Sequence, residues 1–351
     1  MTGLNKKRLA AAFLGGRVAR EFVAGRKCGL RVLAYHRVLD NETVPFQFDE
    51  GVISAGTRSF RDQLAFVRAN FDVLSFSDLR SIEERGGRWP ERGLIVTFDD
   101  GYRDNYTNAF PILKEMGLPA TVFLTTGHIG ATRLFWWDLI AYYIKQSRLK
   151  SVALEPPCAL FLRLETPAER DSAIETILKR VKRLPDEEKN EIIRNLPARL
   201  EVEIDSSSLE RMHLNWDEVR EMSASGMEFG SHTVSHPVLA NVQPQQVETE
   251  LVTSKREIER QLGRESIVFS YPVGGHGNFT PEVKEAVARA GYLYAVSYIQ
   301  GLAGYRAGHG RGCDAYAIPR IHVEAAQSLS EFRANLSFPR LMFGAQSGAA
   351  A

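Results

Sequence analysis

The sequence has little that would support a disulfide-stabilised or membrane-spanning protein. Only three cysteines occur in 351 residues, and Cys28, Cys158 and Cys313 lie far apart with no C-x-x-C pair. They are therefore interpreted as isolated thiols rather than as a disulfide framework or a structural zinc site. No apolar run approaches the roughly 18 residues that a membrane span requires, so no transmembrane segment is predicted.

The chain also lacks an excess of charge of either sign. Its 44 Lys and Arg residues nearly balance its 43 Asp and Glu residues, which leaves a formal net charge of +1. A near-neutral chain has no global field that would attract nucleic acid or an anionic membrane, so neither is an expected partner of the whole protein. The glycine-rich run at residues 274–277 is not followed by G-K-[ST], which argues against a phosphate-binding loop.

The first 30 residues form a segment of their own. Lys6, Lys7 and Arg8 precede a short apolar run at residues 9–14, and Arg17 follows at once. The apolar run is too short for a secretory signal peptide. An amphipathic helix, packed on the body of the protein or lying on a membrane surface, fits the pattern better. The expected location is therefore the cytoplasm, with peripheral membrane contact through this helix as the alternative.

Residues 31–338 alternate between short apolar runs and segments with helical periodicity. Strands are predicted at residues 31–35, 71–74, 94–98, 120–124, 228–230, 267–271, 292–297 and 316–323. Repeated β-α units predict a parallel sheet, and seven or eight of them suggest closure into an irregular (β/α) barrel. Residues 131–213 break this rhythm and are interpreted as a mainly helical insertion, with the alternative that they are additional helices of the core fold. Residues 339–351 are expected to be a disordered tail.

Two carboxylates follow the predicted strand at residues 94–98. The run T-F-D-D-G-Y places Asp99 and Asp100 at the carboxyl end of a parallel strand, where (β/α) barrels carry their catalytic groups. Two adjacent negative charges are unfavourable there unless a positive group such as a metal ion offsets them. The alternative is an Asp-Asp-Gly turn with no catalytic role, because these residues favour turns.

Two histidines follow another predicted strand. In G-S-H-T-V-S-H-P, His232 and His236 are four residues apart, which places both rings within reach of one ion if the backbone makes a single turn or a loop. Pro237 disfavours a helical backbone at His236. Together with Asp100 these histidines would form a three-ligand site with open coordination positions, as in catalytic zinc centres. A water bound there would have a pKa of roughly 7 and could act as a nucleophile.

These two motifs resemble the first two motifs of the polysaccharide deacetylases, also called the NodB homology family or carbohydrate esterase family four. The resemblance covers about residues 31–336. It implies that Asp99 is the catalytic base and that Asp100, His232 and His236 bind a divalent metal, with zinc expected. The implied reaction is removal of N-acetyl groups from amino sugars, of the N-acetylglucosamine type, in a poly- or oligosaccharide.

The resemblance is weaker over the later motifs. Residues 269–274 (F-S-Y-P-V-G) are similar to the third motif, which implies that Tyr271 and Pro272 line the substrate groove and that the Val273 N–H stabilises the oxyanion. Arg320 is the expected positive charge beside the base, and His322 is the expected general acid. These two residues are two apart on a predicted strand, so they should point to the same face. No D-x-x-D-W resembling the fourth motif occurs.

Three further residues are possible contacts of the glycan. His36, after the first strand, should reach the same end of the barrel. Trp136 and Trp216, at either end of the insertion, offer the broad apolar faces on which sugar rings pack, although Trp136 would equally anchor the insertion. Two rival functions stay open: a non-haem iron oxygenase using the same two-histidine, one-carboxylate set, and a non-catalytic carbohydrate-binding protein.

Overall fold

The structure, a computed structural model, describes residues 29–40, 46–90, 92–204, 210–303, 314–339 and 342. Its strands are β1 (Arg31–Tyr35), β2 (Arg37–Val38), β3 (Ile53–Ala55), β4 (Asp72–Val73), β5 (Gly93–Phe98), β6 (Thr121–Leu124), β7 (Ser151–Leu154), β8 (Leu160–Arg163), β9 (Glu228–Ser231), β10 (Val268–Ser270), β11 (Tyr294–Gln300) and β12 (Ile318–His322). Its α-helices are α1 (Thr57–Asn70), α2 (Phe76–Glu84), α3 (Phe110–Met116), α4 (Trp136–Gln146), α5 (Pro167–Val181), α6 (Asp186–Leu200), α7 (Trp216–Ala224), α8 (Pro244–Leu262), α9 (Pro281–Arg289) and α10 (Leu329–Ser337). The amphipathic helix predicted at residues 1–30 and the tail at 339–351 fall almost wholly outside the described residues.

Seven parallel strands close into a barrel, which confirms the predicted irregular (β/α) barrel. Their hydrogen-bonded order is β1, β12, β11, β10, β9, β6 and β5, and β5 pairs with β1 to close the ring, while β4 extends the sheet beside β5. Leu33 of β1 lies opposite both Val96 of β5 and Ile321 of β12. Every residue of β1 and of β5 is buried, because one face of each strand meets the barrel interior and the other meets the surrounding helices.

Polar caps set the ends of several helices. The side chains of Ser75, Thr166 and Asn215 each accept a hydrogen bond from the backbone N–H three residues later, and the acidic side chain at that later position accepts one from the backbone N–H of the cap residue. Such reciprocal caps satisfy two backbone donors that the first helical turn leaves free. α3 and α8 end at Gly117 and Gly263, which adopt the left-handed conformation that glycine tolerates best.

One predicted helix begins differently in the structure. The helix expected at residues 104–116 starts with a wider helical turn over Asn105–Ala109, and the regular α-helix begins only at Phe110. Pro111 lies in the first turn of α3 and has no backbone N–H, so it interrupts the regular hydrogen-bond pattern at this point.

Residues 131–213, called the helical segment below, contain α4, α5 and α6. Helices α5 and α6 correspond to the runs predicted at 168–184 and 186–200. Strands β7 and β8, which were not predicted, form an antiparallel hairpin between α4 and α5. Burial alternates along β7, and two prolines follow it in the connecting turn, which favours a hairpin over a helix. The helical segment has its own cluster of buried apolar residues beside the barrel core.

None of the helices in the described part of the chain is both long enough and apolar enough to cross a membrane. Of the three cysteines, Cys158 is described and is a buried free thiol.

Candidate metal centre

Two strand ends bring the predicted metal ligands together. Asp99 and Asp100 directly follow β5, and His232 directly follows β9, with β6 between the two strands. Because the strands are parallel, their carboxyl ends meet at one rim of the barrel. His236 follows on a loop rather than a helix, as expected for a residue before Pro237.

Asp100, His232 and His236 converge on one point. The Nε2 atoms of both histidines lie 3.5 Å from Asp100 Oδ1, and the two Nε2 atoms lie 3.1 Å apart. One ligand atom from each of the three residues falls within 4.8 Å of the others, and all three residues are buried. The site expected from the sequence is therefore assembled in space.

The donor atoms fit a cation. The Nδ1–H of His232 donates to the carbonyl of Ser270 at 2.7 Å, which leaves the Nε2 lone pair directed towards Asp100 and is the arrangement typical of metal-binding histidines. Asp100 Oδ1 is buried and has no hydrogen-bond partner among the described residues. Burial, and then the charge of Asp99, raise the pKa of Asp100 well above its usual value. A bound cation would remove that penalty.

Backbone strain is concentrated at this site. Asp100, Thr233, His236 and Val273 all have positive φ, between 60° and 73°, although side chains other than glycine disfavour this region. The surrounding structure must hold such residues in place, and they occur preferentially at functional sites.

Glu250 of α8 holds the histidine loop in its strained conformation. Its carboxylate accepts hydrogen bonds from the backbone N–H groups of Val234 and Ser235 at 2.6 and 3.0 Å, and from the Ser235 hydroxyl. Thr233 Oγ1 accepts the His236 N–H at 2.9 Å. This role of Glu250 could not be predicted from the sequence, because α8 reaches the loop only through the barrel fold.

Asp99 is not one of the three clustered ligands but pairs with Arg320 of β12. Both guanidinium Nη atoms donate to the carboxylate, at 2.8 and 2.6 Å, and Arg320 is fully buried. The same guanidinium also donates to Thr97, Ser270 and the Ser297 carbonyl. Burial by itself would raise the pKa of Asp99, but Arg320 offsets that effect and the pKa lies well below its usual value. Asp99 is therefore ionised at neutral pH, and Arg320 lies where the sequence placed it.

A cavity of about 690 Å³ opens above Asp99 and Asp100, within the range typical of small-molecule sites. Its floor is the carboxyl rim of the barrel, with His36, Tyr271 and Val273 among the lining residues, and Trp136 lies in its wall. These four residues were expected at the substrate site from the sequence. The cavity also contains Tyr298, which was not expected.

The two histidines beside Tyr298 differ in position. His36 lines the cavity, and its Nε2 lies 3.9 Å from Asp99 Oδ2. His322 stacks on the opposite part of Tyr298, with ring centroids 3.7 Å apart, and is not among the lining residues. Arg320 and His322 both contact the Tyr298 ring, as their shared strand face predicts. The cavity lining does not include His322, whose Nε2 is buried and has no hydrogen-bond partner among the described residues, so its role as the general acid stays a prediction.

Trp216 and Pro272 lie away from the cavity lining. Trp216 is the first residue of α7 and packs against the main barrel core. The sugar contact expected for Trp216 is therefore not supported, since its position at the end of the helical segment turns it towards the core. Pro272 lies between Tyr271 and Val273, both of which line the cavity.

A buried network joins the helical segment to the carboxylate motif. The Tyr102 hydroxyl donates to Asp138 of α4 at 2.8 Å and accepts the indole N–H of Trp137 at 2.7 Å. The Trp137 ring also packs edge-on against His236, with ring centroids 4.6 Å apart. Helix α4 thus supports one metal ligand directly and the loop after Asp100 through Tyr102.

Comparison with known proteins agrees with this geometry. A sequence profile described as "Polysaccharide deacetylase" matches residues 86–160 and 168–295, which is more than half of the chain. The chain is 23% identical, over 244 residues, to YxkH of Bacillus subtilis (strain 168), whose name places it among the polysaccharide deacetylases. It is 33% identical, over 93 residues, to the poly-beta-1,6-N-acetyl-D-glucosamine N-deacetylase of Escherichia coli (strain K12).

These matches cover unequal parts of the proteins. The YxkH match spans 70% of this chain and 56% of YxkH, and the Escherichia coli match spans 26% of this chain and 13% of that enzyme. Among solved structures, the Streptococcus pyogenes deacetylase PplD, in complex with acetate, matches with a TM-score of 0.56 and 18% identity, over 87% of this chain and 97% of that one. IcaB from Ammonifex degensii matches with a TM-score of 0.53 and 20% identity, over 88% of this chain and 97% of that one.

Proposed function

Because the chain belongs to the polysaccharide deacetylase family, we propose that it is a metal-dependent hydrolase that removes N-acetyl groups from N-acetylglucosamine-type units of a poly- or oligosaccharide. The observation that carries the proposal is the convergence of Asp100, His232 and His236 on one point, with the ionised Asp99 beside it. The names of YxkH and of the Escherichia coli N-deacetylase support the same reaction class.

Asp100, His232 and His236 would hold the metal. Two imidazoles and one carboxylate are ligands that suit zinc, and three protein ligands leave positions open, as in catalytic zinc centres. A zinc ion held there would lower the pKa of bound water to about 7 and polarise the acetyl carbonyl.

Asp99 is assigned as the base that removes a proton from the attacking water. It lies next to the ligand Asp100 and is kept ionised by Arg320, so it can accept a proton without first losing one. Asp99, the second carboxylate at the site, has an evident role in hydrolysis and none in oxygen activation, which favours a hydrolase over the oxygenase alternative. It also favours an enzyme over a carbohydrate-binding protein, which would gain little from a base beside an open cation site.

His36, rather than His322, is assigned as the group that protonates the departing amine. It lines the cavity, and it lies close enough to Asp99 for the two groups to exchange a proton with slight movement. Burial is the largest cause that lowers the pKa of His36 to about 4, so it is neutral at pH 7. After Asp99 has taken a proton from the attacking water, it would pass that proton to neutral His36. The resulting imidazolium would donate it to the nitrogen as the C–N bond breaks, which returns both residues to their starting states.

The Val273 N–H is assigned to the oxyanion of the tetrahedral intermediate. Val273 lines the cavity, and both it and Gly274 have positive φ. The Gly274 N–H already donates to the Pro272 carbonyl at 2.7 Å, so the Val273 N–H is the donor that this turn offers to an anion. The Val273 N–H donates to no backbone carbonyl among the described residues, so it is free for a ligand.

Acetate release is the direct test of this proposal. Incubation with N-acetylglucosamine oligomers should release acetate and free amine in equal amounts, measured by a coupled acetate assay and by amine labelling. The His36→Gln variant should lower kcat about 100-fold, because general acid catalysis typically contributes 10²–10⁴. His322→Gln alters the other histidine that contacts Tyr298, and its kcat should stay within a few-fold of that of the unmodified protein.

Two controls make the result decisive. A chelator should abolish acetate release, and added zinc should restore it. Absence of acetate from folded, zinc-loaded protein would contradict the proposed activity, whereas a large loss in His322→Gln and none in His36→Gln would reverse the assignment of the acid.

A further inference from the structure

The helical segment supplies much of the wall of the catalytic cavity. Helix α5 faces the cavity along its length, from Asp171 and Glu175 to Leu178 and Lys179, and Lys182 follows as its C-terminal cap. The same cavity is lined by the reacting groups at the barrel rim, so α5 is in a position to contact a glycan bound there.

Three lysines line the cavity, and they differ in the groups that contact their ammonium. Lys145 donates to the carbonyls of Phe46 and Phe48 and pairs with Glu50 at 3.1 Å. Lys179 is exposed to solvent. Lys182 is partly buried, and within the described residues its ammonium has neither a hydrogen bond nor an ion pair.

The position of Lys182 is fixed by the barrel. The side-chain amide of Asn241, on the loop that follows the metal-binding histidines, donates to the carbonyls of Lys182 and Leu184 at 3.1 and 2.9 Å. The ammonium charge acts on His36 and on Asp49, both of which line the cavity. Lys182 therefore lines the same cavity as His36, near enough for its charge to act on the imidazole.

Within the described part of the chain, the Lys182 ammonium has no counter-ion. Burial lowers the pKa of Lys182, because the charged form has lost part of its hydration. Asp49 is the carboxylate in the cavity whose charge acts on the Lys182 ammonium, but the two residues form no ion pair. Burial raises the pKa of Asp49. The C-terminal dipole of α5 favours a lysine here but leaves the ammonium unpaired.

We propose that Lys182 binds an anionic substituent, a carboxylate or a phosphate, on the sugar that undergoes deacetylation. A charge-assisted hydrogen bond to an anion would replace the hydration that the ammonium has lost. This inference rests on the proposed deacetylase function and specifies its substrate class as an acidic rather than a neutral amino sugar.

The acidic residues of α5 limit where the anion can bind. Asp171 and Glu175 are exposed, and they lie eleven and seven residues before Lys182, about 16 and 10 Å away along a helix that rises 1.5 Å per residue. Their charges would repel an anion at the outer end of the cavity. The anionic group is therefore expected close to the acetamide, and the more distant sugars are expected to be neutral.

The test compares substrates that differ in one group. Acetate release is measured with three disaccharides: diacetylchitobiose, its phosphorylated form, and an N-acetylglucosamine–N-acetylmuramic acid disaccharide that carries a lactyl carboxylate. Lys182→Met should raise KM about 10- to 100-fold for whichever acidic disaccharide the protein prefers, since hydrogen bonds to charged groups contribute on that scale. It should leave kcat nearly unchanged, and KM for diacetylchitobiose should stay within about twofold.

Matched variants separate this role from a general loss of charge or of structure. Lys179→Met removes the same charge from the same helix and should change KM little, because water already solvates that ammonium. Lys182→Arg should keep the preference for the acidic substrate. An unchanged Tm in Lys182→Met would show that the fold is intact.

The outcomes distinguish this proposal from the deacetylase proposal. Equal effects of Lys182→Met on acidic and neutral disaccharides, or no effect on either, would overturn the anionic subsite while leaving the deacetylase intact. Calorimetric binding of N-acetylglucosamine 1-phosphate against N-acetylglucosamine needs no turnover. Suppose that the unmodified protein releases no acetate but binds N-acetylglucosamine 1-phosphate more tightly than N-acetylglucosamine, and that Lys182→Met loses this preference. The anionic subsite would then be supported while the deacetylase proposal fails.

Discussion

The Asp99→Asn variant should release acetate about 100 to 10,000 times more slowly than the unmodified protein while still binding one zinc ion. Asparagine has nearly the same shape but accepts no proton at neutral pH, and a positioned base contributes about 10²–10⁴ in rate. Zinc binding should persist because the ligand atoms belong to Asp100, His232 and His236. Acetate assays and zinc titration by calorimetry on the same preparation measure both properties.

His232→Ala provides the contrast to Asp99→Asn. It removes a ligand, so zinc binding and acetate release should fall together. Near-normal turnover in Asp99→Asn would refute its role as the base, and loss of zinc from that variant would show that Asp99 is a ligand.

The Arg320→Met variant should lose both stability and activity. Arg320 is buried and donates two hydrogen bonds to Asp99, and removal of one partner from a buried ion pair typically costs about 3–5 kcal/mol. Without the guanidinium, burial would raise the pKa of Asp99, and a protonated Asp99 cannot act as a base. Urea unfolding at pH 7 in the presence of a chelator would measure the stability change without a contribution from metal binding.

Arg80→Met serves as the matched control for Arg320→Met. Arg80 also pairs with two acidic groups, Glu84 and Glu265, but on the protein surface, where solvent screens the charges. Its loss should change stability little. An equally small change in Arg320→Met would mean that the buried pair does not hold Asp99 in its ionised state.

The barrel and the metal ligands were predictable from the sequence because local patterns determine them. Fully buried parallel strands read as continuous apolar runs, such as L-I-V-T-F at residues 94–98, and polar residues directly after such runs lie at one rim. Asp99, Asp100 and His232 follow this rule directly. His236 follows because only four residues separate it from His232.

The assignment of the acid could not be made in the same way. His36 and His322 both lie at or just after strands at the same rim, and the sequence does not say which of them faces the cavity. The distinction depends on how the two rings pack around Tyr298 of β11, because His322 stacks flat on that ring whereas His36 packs at a steep angle to it and lines the cavity. Contacts of this kind between neighbouring strands arise only once the barrel closes.

The wall formed by the helical segment was equally inaccessible to sequence reasoning. The periodicity of α5 predicted a helix but not the surface that it covers, and Lys182 resembled any lysine at a helix end. Its position depends on Asn241, 59 residues later in the chain. Trp216 illustrates the reverse case, because a tryptophan beside the helical segment packs into the barrel core instead of facing a sugar.

Anomalous diffraction at the zinc edge, from crystals of the unmodified protein grown with zinc, is the most direct test of the metal centre. One strong anomalous peak is expected about 2.0–2.1 Å from Nε2 of His232 and of His236 and about 2.0–2.2 Å from a carboxylate oxygen of Asp100. Asp99 should lie beside the ion without binding it and should remain paired with Arg320. No peak at this position, or a zinc ion bound by Asp99 in place of Asp100, would contradict the proposed metal centre.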